Sequence, residues 1–192
     1  MRPTVTIIRT EHRRLAAVID CFVGVLRDLN SGKSKSAPDF DLLRSIHAYF
    51  RSFLYTFHHP KEEEYLFPSL AERVPALAEV IHRLEAEHTR GLEILDSLDR
   101  ALEALSIGAT DDLSAYLAVA ETYQELEWKH MALEERDILP LAQKALVSDD
   151  WDRLDAVFTD HEDPVFGDKP RAEYESLLTT IVNRAPSPHG LG

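Results

Sequence analysis

The amino-acid sequence predicts an all-α fold, an antiparallel up-down four-helix bundle with a C-terminal helical appendage. Apolar residues recur at steps of three and four through four long segments. Leu, Ala, Glu and Arg dominate and Gly is scarce at 7, a composition that favours helix. The connections between segments are mostly short, and short connections make successive helices antiparallel neighbours. A chain of 192 residues with 44% hydrophobic and 29% charged residues is sized for one domain with a substantial core.

The first helix is predicted from Thr4 to Asn30, where Ile8, His12, Leu15, Ile19, Phe22, Leu26 and Leu29 share one face. A Gly/Ser/Lys-rich connection from Ser31 to Pro38 is expected to be mobile. The second helix is predicted from Pro38 to Phe67, with Leu43, His47, Phe50, Leu54, His58 and Glu62 aligned. The third follows Pro75, a favourable first-turn residue, and aligns Leu77, Ile81, Leu84, His88, Gly91, Leu95, Leu98, Leu102 and Leu105. The fourth starts near Asp111, expected to cap it, and aligns Leu113, Tyr116, Ala120, Tyr123, Glu127, His130, Glu134, Ile138 and Leu141. Residues 1–148 form the bundle in this reading, and 149–192 form an extension packed on it. Within the extension, helices are expected at Trp151 to Phe158 and Arg171 to Arg184. A loop is expected at His161 to Pro170, and a frayed or surface-draped APSPHGLG closes the chain.

Charge narrows the functions. A formal net charge of −13 argues against nucleic acid or an anionic membrane as partner, because both require a basic face. No run approaches the roughly 20 apolar residues of a membrane span, and MRPTVTIIRTEHRRL is too interrupted by charge for a secretory leader. Cytoplasmic location is the expectation. The single Cys21 excludes an internal disulfide or a cysteine-based metal cluster, and its apolar neighbours suggest buried packing.

The informative residues are the polar ones that interrupt the apolar stripes: His12, His58, Glu62, His88, His130 and Glu134. Burying an ionised carboxylate without a partner costs several kcal/mol even after relaxation. A metal ion removes that cost by accepting imidazole nitrogens and balancing carboxylate charge. His58 and Glu62 are four apart, as are His130 and Glu134, so each pair lies one turn apart on one face. The chain also repeats itself. EHRRLAAVID at 11–20 resembles EHTRGLEILD at 87–96, and HHPKEEEYLFP at 58–68 resembles HMALEERDILP at 130–140. Two related hairpins, each supplying two His and one Glu, suit a symmetric two-metal site with one Glu from each half available as a bridge.

Those paired motifs, EH…HHPKEEEYLFP and EH…HMALEERDILP, resemble the hemerythrin / HHE cation-binding domain over roughly residues 4–146. The resemblance implies a four-helix bundle around a non-haem di-iron centre. Its ligands would be His12, His58, Glu62, His88, His130 and Glu134, with Glu62 and Glu134 bridging two iron ions. Two departures set the chain apart from oxygen-carrying hemerythrin. Leu84 stands one turn before His88 where that protein has a second histidine, and the last clamp ends in Glu134 after a four-residue step. The pattern is closer to di-iron cluster-repair proteins and to iron- and oxygen-sensing hemerythrin-like domains. It implies binding or sensing of O2, NO or iron. The alternative is a di-iron oxidoreductase acting on peroxide, O2 or NO, with an external electron donor. A structural zinc bundle fits less well, since two carboxylates and no cysteine suit iron or manganese. A monomer or homodimer is expected.

The remaining histidines and nearby acids are expected to do less. His59, about 100° around the helix from His58, should face solvent or a helix interface. His47, about 16 Å from His58 by helical rise, should take a core or supporting role. His82, His161 and His189 are expected at the surface, and Glu63, Glu64 and Glu135 on a solvated face, where one could orient a ligand. Glu127 is either a seventh ligand or a partner to a coordinating histidine. Tyr55 and Tyr123 line the same channel. Pro60 should kink or bulge its helix between His58 and Glu62, and Pro68 and Pro140 should mark ends or bends.

Overall fold

The computed structural model describes residues 2–159 and 168–191, and among them every regular element is helical. Helix α1 (Pro3–Asn30) starts with proline in its first turn, where the missing amide is no loss. It stops at a turn in which Gly32 takes φ +71°, a left-handed conformation open to glycine. The second helical run opens as α2 (Phe40–Phe50), capped by Asp39, whose carboxylate accepts from the Leu42 amide at 3.0 Å. It widens into π-helical turns over Arg51–His58, narrows at α3 (His59–Lys61), widens again over Glu62–Leu66 and finishes as α4 (Phe67–Arg73).

A 3-10 turn at Pro75–Leu77 leads into α5 (Ala78–Ser106). The fourth run comprises α6 (Leu113–Leu133), a π-helical stretch at Glu134–Ile138 and α7 (Leu139–Ala145). Its cap is Asp112 rather than Asp111: the Asp112 carboxylate accepts from the Ala115 amide at 2.9 Å, three residues on, which is N-cap geometry. Two further helices follow, α8 (Ser148–Thr159) and α9 (Asp168–Arg184). The expected loop at His161 to Pro170 falls mainly outside the described residues, as does His161 itself.

The long helices pack as a closed ring, α1 on α2, α2 on α5, α5 on α6 and α6 on α1. Helix α8 lies against α1, and α9 against α2 and the π-helical turns after it. The closing residues are draped rather than frayed. Ala185 is buried, and the His189 imidazole packs against Gly24 and bonds Asp28 at 3.0 Å.

The core has two apolar clusters. The larger gathers Leu15 to Leu26, Leu42 to Phe57, Ile94 to Leu102 and Tyr116 to Tyr123. The smaller gathers Val5, Ile8, Leu66, Phe67, Leu70, Ile81, Leu84, Ile138 and Leu139 with Trp151, Leu154 and Phe158 of α8. Along α1 the order is small then large, along the second run large then small, and it alternates again through α5 and the fourth run. In each helix the predicted ligands lie at the junction between the clusters. This ordering is what carries the site.

Candidate metal centre

Four helices deliver side chains to that junction. Helix α1 supplies Glu11 and His12, and the second run supplies His58, His59, Glu62 and Glu63. Helix α5 supplies Glu87, His88 and Gly91, and the fourth run Glu127, His130, Glu134 and Glu135. The π-helical turns have a common cause. Pro60, Pro68 and Pro140 lack an amide, and their rings crowd the carbonyl four residues back. A wide turn precedes each proline, two of them opening at Glu62 and Glu134. The helix therefore bulges at these prolines and continues through Arg73 and Ala145 instead of ending.

The six predicted residues are all buried, and their donor atoms fall into two groups. One contains His12, His58, Glu62 and Glu134; the other contains His59, Glu62, His88 and His130, and within each the donor atoms lie within 4.8 Å of one another. Glu62 spans both, with one oxygen 3.4 Å from His58 Nε2 and the other 3.7 Å from His88 Nε2. Glu134 mirrors it, with oxygens 3.4 Å from His130 Nε2 and 3.2 Å from His12 Nε2.

His59 is the correction to the sequence reading. It is buried at 4% exposure, belongs to the second group and stacks on His88 with ring centroids 3.6 Å apart. The expectation assumed regular α turns, in which consecutive residues diverge by about 100°. The preceding π-helical turns advance less per residue, so His58 and His59 both turn inward. In the second hairpin Met131 occupies the matching position, so His59 makes the two groups unequal.

Each of the four repeat-related histidines donates its Nδ1–H to a carboxylate. His12 donates to Glu135 (3.1 Å), His58 to Glu11 (2.9 Å), His88 to Glu63 (2.7 Å) and His130 to Glu87 (3.0 Å). The pattern follows the repeat. The Glu before each N-terminal His bonds its own hairpin's second histidine, and the Glu after each clamp crosses to the other hairpin. Thus Glu63 and Glu135 are partners to buried rings rather than purely solvated residues. An ionised carboxylate only accepts, so the proton sits on Nδ1 and each Nε2 presents a lone pair inward.

That tautomer tests whether the residues suit a metal. His88 Nε2 and His130 Nε2 face each other at 2.9 Å, which two lone pairs tolerate only with a cation or a shared proton between them. Both oxygens of Glu62 and of Glu134, and Nε2 of His12, are buried without a hydrogen-bond partner among the described residues. A divalent cation in each group would supply a partner for these atoms, and the neutral-imidazole and carboxylate set suits iron or manganese. In the metal-free protein, protons answer the same demand. Burial pulls the His12 imidazole down, but the adjoining Glu134 and Glu135 carboxylates outweigh it and raise it to about 9. Burial, reinforced by the neighbouring Glu134 charge, pushes Glu62 up to about 7, while His130 and His12 hold Glu134 well below the usual range. Burial, with the nearby His88, drives His59 well below an ordinary histidine.

Beside the second group lies a small polar cluster. The Tyr55 hydroxyl donates to Glu127 at 3.5 Å and lies 3.4 Å from the Tyr123 hydroxyl. Glu127 is buried but joins neither group, and burial raises its carboxyl above the usual range. Gly91 leaves the room: a Cβ there would fall 2.5 Å from the Tyr55 hydroxyl and 2.8 Å from Glu127 Oε1. His47 takes the core role expected of it, buried between Asp99 and Tyr116. His82 is exposed and Cys21 is buried, its thiol raised to about 11 by burial.

The hemerythrin HHE cation binding domain matches residues 4–142 of the chain. The uncharacterized protein Mb2018 of Mycobacterium bovis and the uncharacterized protein Rv1995 of Mycobacterium tuberculosis are each 24% identical over 176 residues. The match covers 90% of this chain and 65% of each relative, so the chain spans just under two thirds of the length of these curated relatives. No solved structure matches it.

Proposed function

Because the chain belongs to the hemerythrin HHE cation-binding domain family, we propose that it is a non-haem di-iron protein built as an antiparallel four-helix bundle. In this reading residues 1–148 hold the centre and 149–192 form the extension. His12 and His58 would hold one iron and His88 and His130 the other, with Glu62 and Glu134 available to both. One observation carries the reading: each buried glutamate presents one oxygen to each histidine group. His59 is a further donor on the second side.

When bound, the iron pair supplies a redox-active site able to take up O2, NO or peroxide. The protein's part is to orient four imidazoles through Glu11, Glu63, Glu87 and Glu135, and to exclude bulk water with two apolar clusters. A small diatomic is bound or sensed there, in cytoplasm, without nucleic acid or membrane as partner.

A second reading, a di-iron oxidoreductase acting on peroxide, O2 or NO, is favoured by the polar cluster packed over Gly91. Glu127 and Tyr55 place proton-bearing groups next to the His59 side, where acid–base chemistry on a bound oxygen species would need them. Its electrons would come from an external donor.

Anaerobic loading with Fe(II) followed by metal counting tests the centre, with two irons per chain expected and one or none overturning it. Adding O2, H2O2 or NO while following the visible spectrum then separates the readings. A reversible band supports binding or sensing, whereas sustained peroxide consumption with an added reductant supports the oxidoreductase.

A further inference from the structure

At the opposite end of the larger apolar cluster is a polar group that the metal centre does not use. His47, 2% exposed, donates Nδ1–H to Asp99 at 2.7 Å, and its Nε2 accepts the Tyr116 hydroxyl at 2.8 Å. Tyr116 is 1% exposed, whereas the Asp99 side chain is 39% exposed and pairs with Arg51, which also holds Asp96. A buried phenol is thereby linked through an imidazole to a carboxylate at the surface. Apolar residues of similar volume would serve packing equally well.

Aromatic rings connect this group to the metal centre. Phe22 contacts both His47 and Tyr116, with centroids 5.4 and 5.9 Å away, and Phe50 at 6.0 Å. Phe50 lies 5.2 Å from Tyr123, whose hydroxyl is 3.4 Å from that of Tyr55. The Tyr55 ring meets His59 edge-on at 5.1 Å, and His59 stacks on His88. The column is continuous from Tyr116 to a metal-binding imidazole.

We propose that Tyr116 is a redox-active relay residue, giving one electron along this column to the metal centre and one proton to His47. The inference rests on the di-iron reading. Oxidation breaks the Tyr116 O–H bond and leaves a neutral phenoxyl radical. The proton passes to His47 Nε2, and the proton on Nδ1 shifts to Asp99 and out to solvent. Two such events supply the two electrons that convert one hydrogen peroxide, with two protons from solvent, to two waters. A one-electron reductant such as ascorbate returns each radical to phenol with a proton. Phe22, Phe50, Tyr123 and Tyr55 serve as contact medium; the radical rests on Tyr116, the one tyrosine of the column whose phenol proton has an imidazole to pass to.

The test is freeze-quench electron paramagnetic resonance on full-length protein shown to hold two irons, mixed with hydrogen peroxide. A tyrosyl radical is expected that falls at least fivefold in Tyr116→Phe at unchanged iron content and helicity. High-field spectra of the unsubstituted protein give a second handle. The bond from His47 lowers the largest g value of a Tyr116 radical, and His47→Phe should remove that shift. A di-iron protein that forms no radical, or one whose radical is untouched by both substitutions, overturns the relay alone. A chain that fails to hold iron overturns the relay and the di-iron reading together, and the metal count tells the two failures apart.

Discussion

Glu87 shows how single residues set the centre. Its carboxylate accepts from His130 Nδ1, and that bond, the first cause of its lowered pKa, keeps the Nε2 lone pair turned inward. Glu87→Gln leaves size intact and removes the charge. Losing such a partner typically weakens metal affinity by about 10- to 100-fold. The expected outcome is a protein that still holds two irons at saturation but yields them at lower chelator concentration. Glu134→Gln should behave differently, because in the di-iron reading it would remove a bridge rather than a support: fewer than two irons per chain are expected even at saturation. Full iron content in Glu134→Gln would remove that residue from the ligand set. Gly91→Ala probes the polar cluster. The new Cβ displaces the Tyr55 hydroxyl and the Glu127 carboxylate, so the products of O2 or peroxide exposure should change while iron content holds.

Helices register these effects through their caps and wide turns. Asp112 and Asp39 each cap a long helix, and a lost cap costs about 1 kcal/mol. Asp39 has a second role, bonding Arg184 of α9 at 2.6 and 3.1 Å. Exposed pairs of this kind add up to about 1 kcal/mol. Chemical denaturation should therefore show Asp39→Ala costing more than Asp112→Ala, with the excess vanishing in an Arg184→Ala background. The stripes of α1, α5 and α6 were legible in the sequence because regular α turns repeat faithfully, and so were His12, His88 and the two four-residue clamps. His59 was not, since a π-helical stretch shifts helical phase without leaving a periodic signature. Pro60 was the available sign, as it predicted a bulge without the direction of its neighbours. The carboxylate partners were obscured differently: Glu63 and Glu135 lie beside the clamps, but the rings they hold come from other helices, which spacing along one helix does not reveal.

Across the molecule, Asp150 ties the second helical run to the C-terminal helices. Although its side chain is 1% exposed, it is fully partnered, accepting from Arg73 at 2.8 and 3.1 Å, Arg153 at 2.8 Å and the Val147 amide at 3.1 Å. It thereby fixes the start of α8, whose Trp151, Leu154 and Phe158 complete the smaller apolar cluster. The Arg73 bond, aided by Val147 and Arg153, holds its carboxyl far below the ordinary range. A carboxylate depressed by folding contributes stability that is present above its unfolded pKa, near 4, and is lost as pH falls toward the folded value. The melting temperature should accordingly be insensitive to this group at neutral pH and fall below about pH 4. Asp150→Asn, which cannot ionise, should melt lower at pH 7 but decline less on acidification, so that the gap between the two curves narrows steadily below about pH 4. Thermal unfolding followed by circular dichroism across that range checks this, and parallel curves would show that the charge of Asp150 does not hold the extension in place.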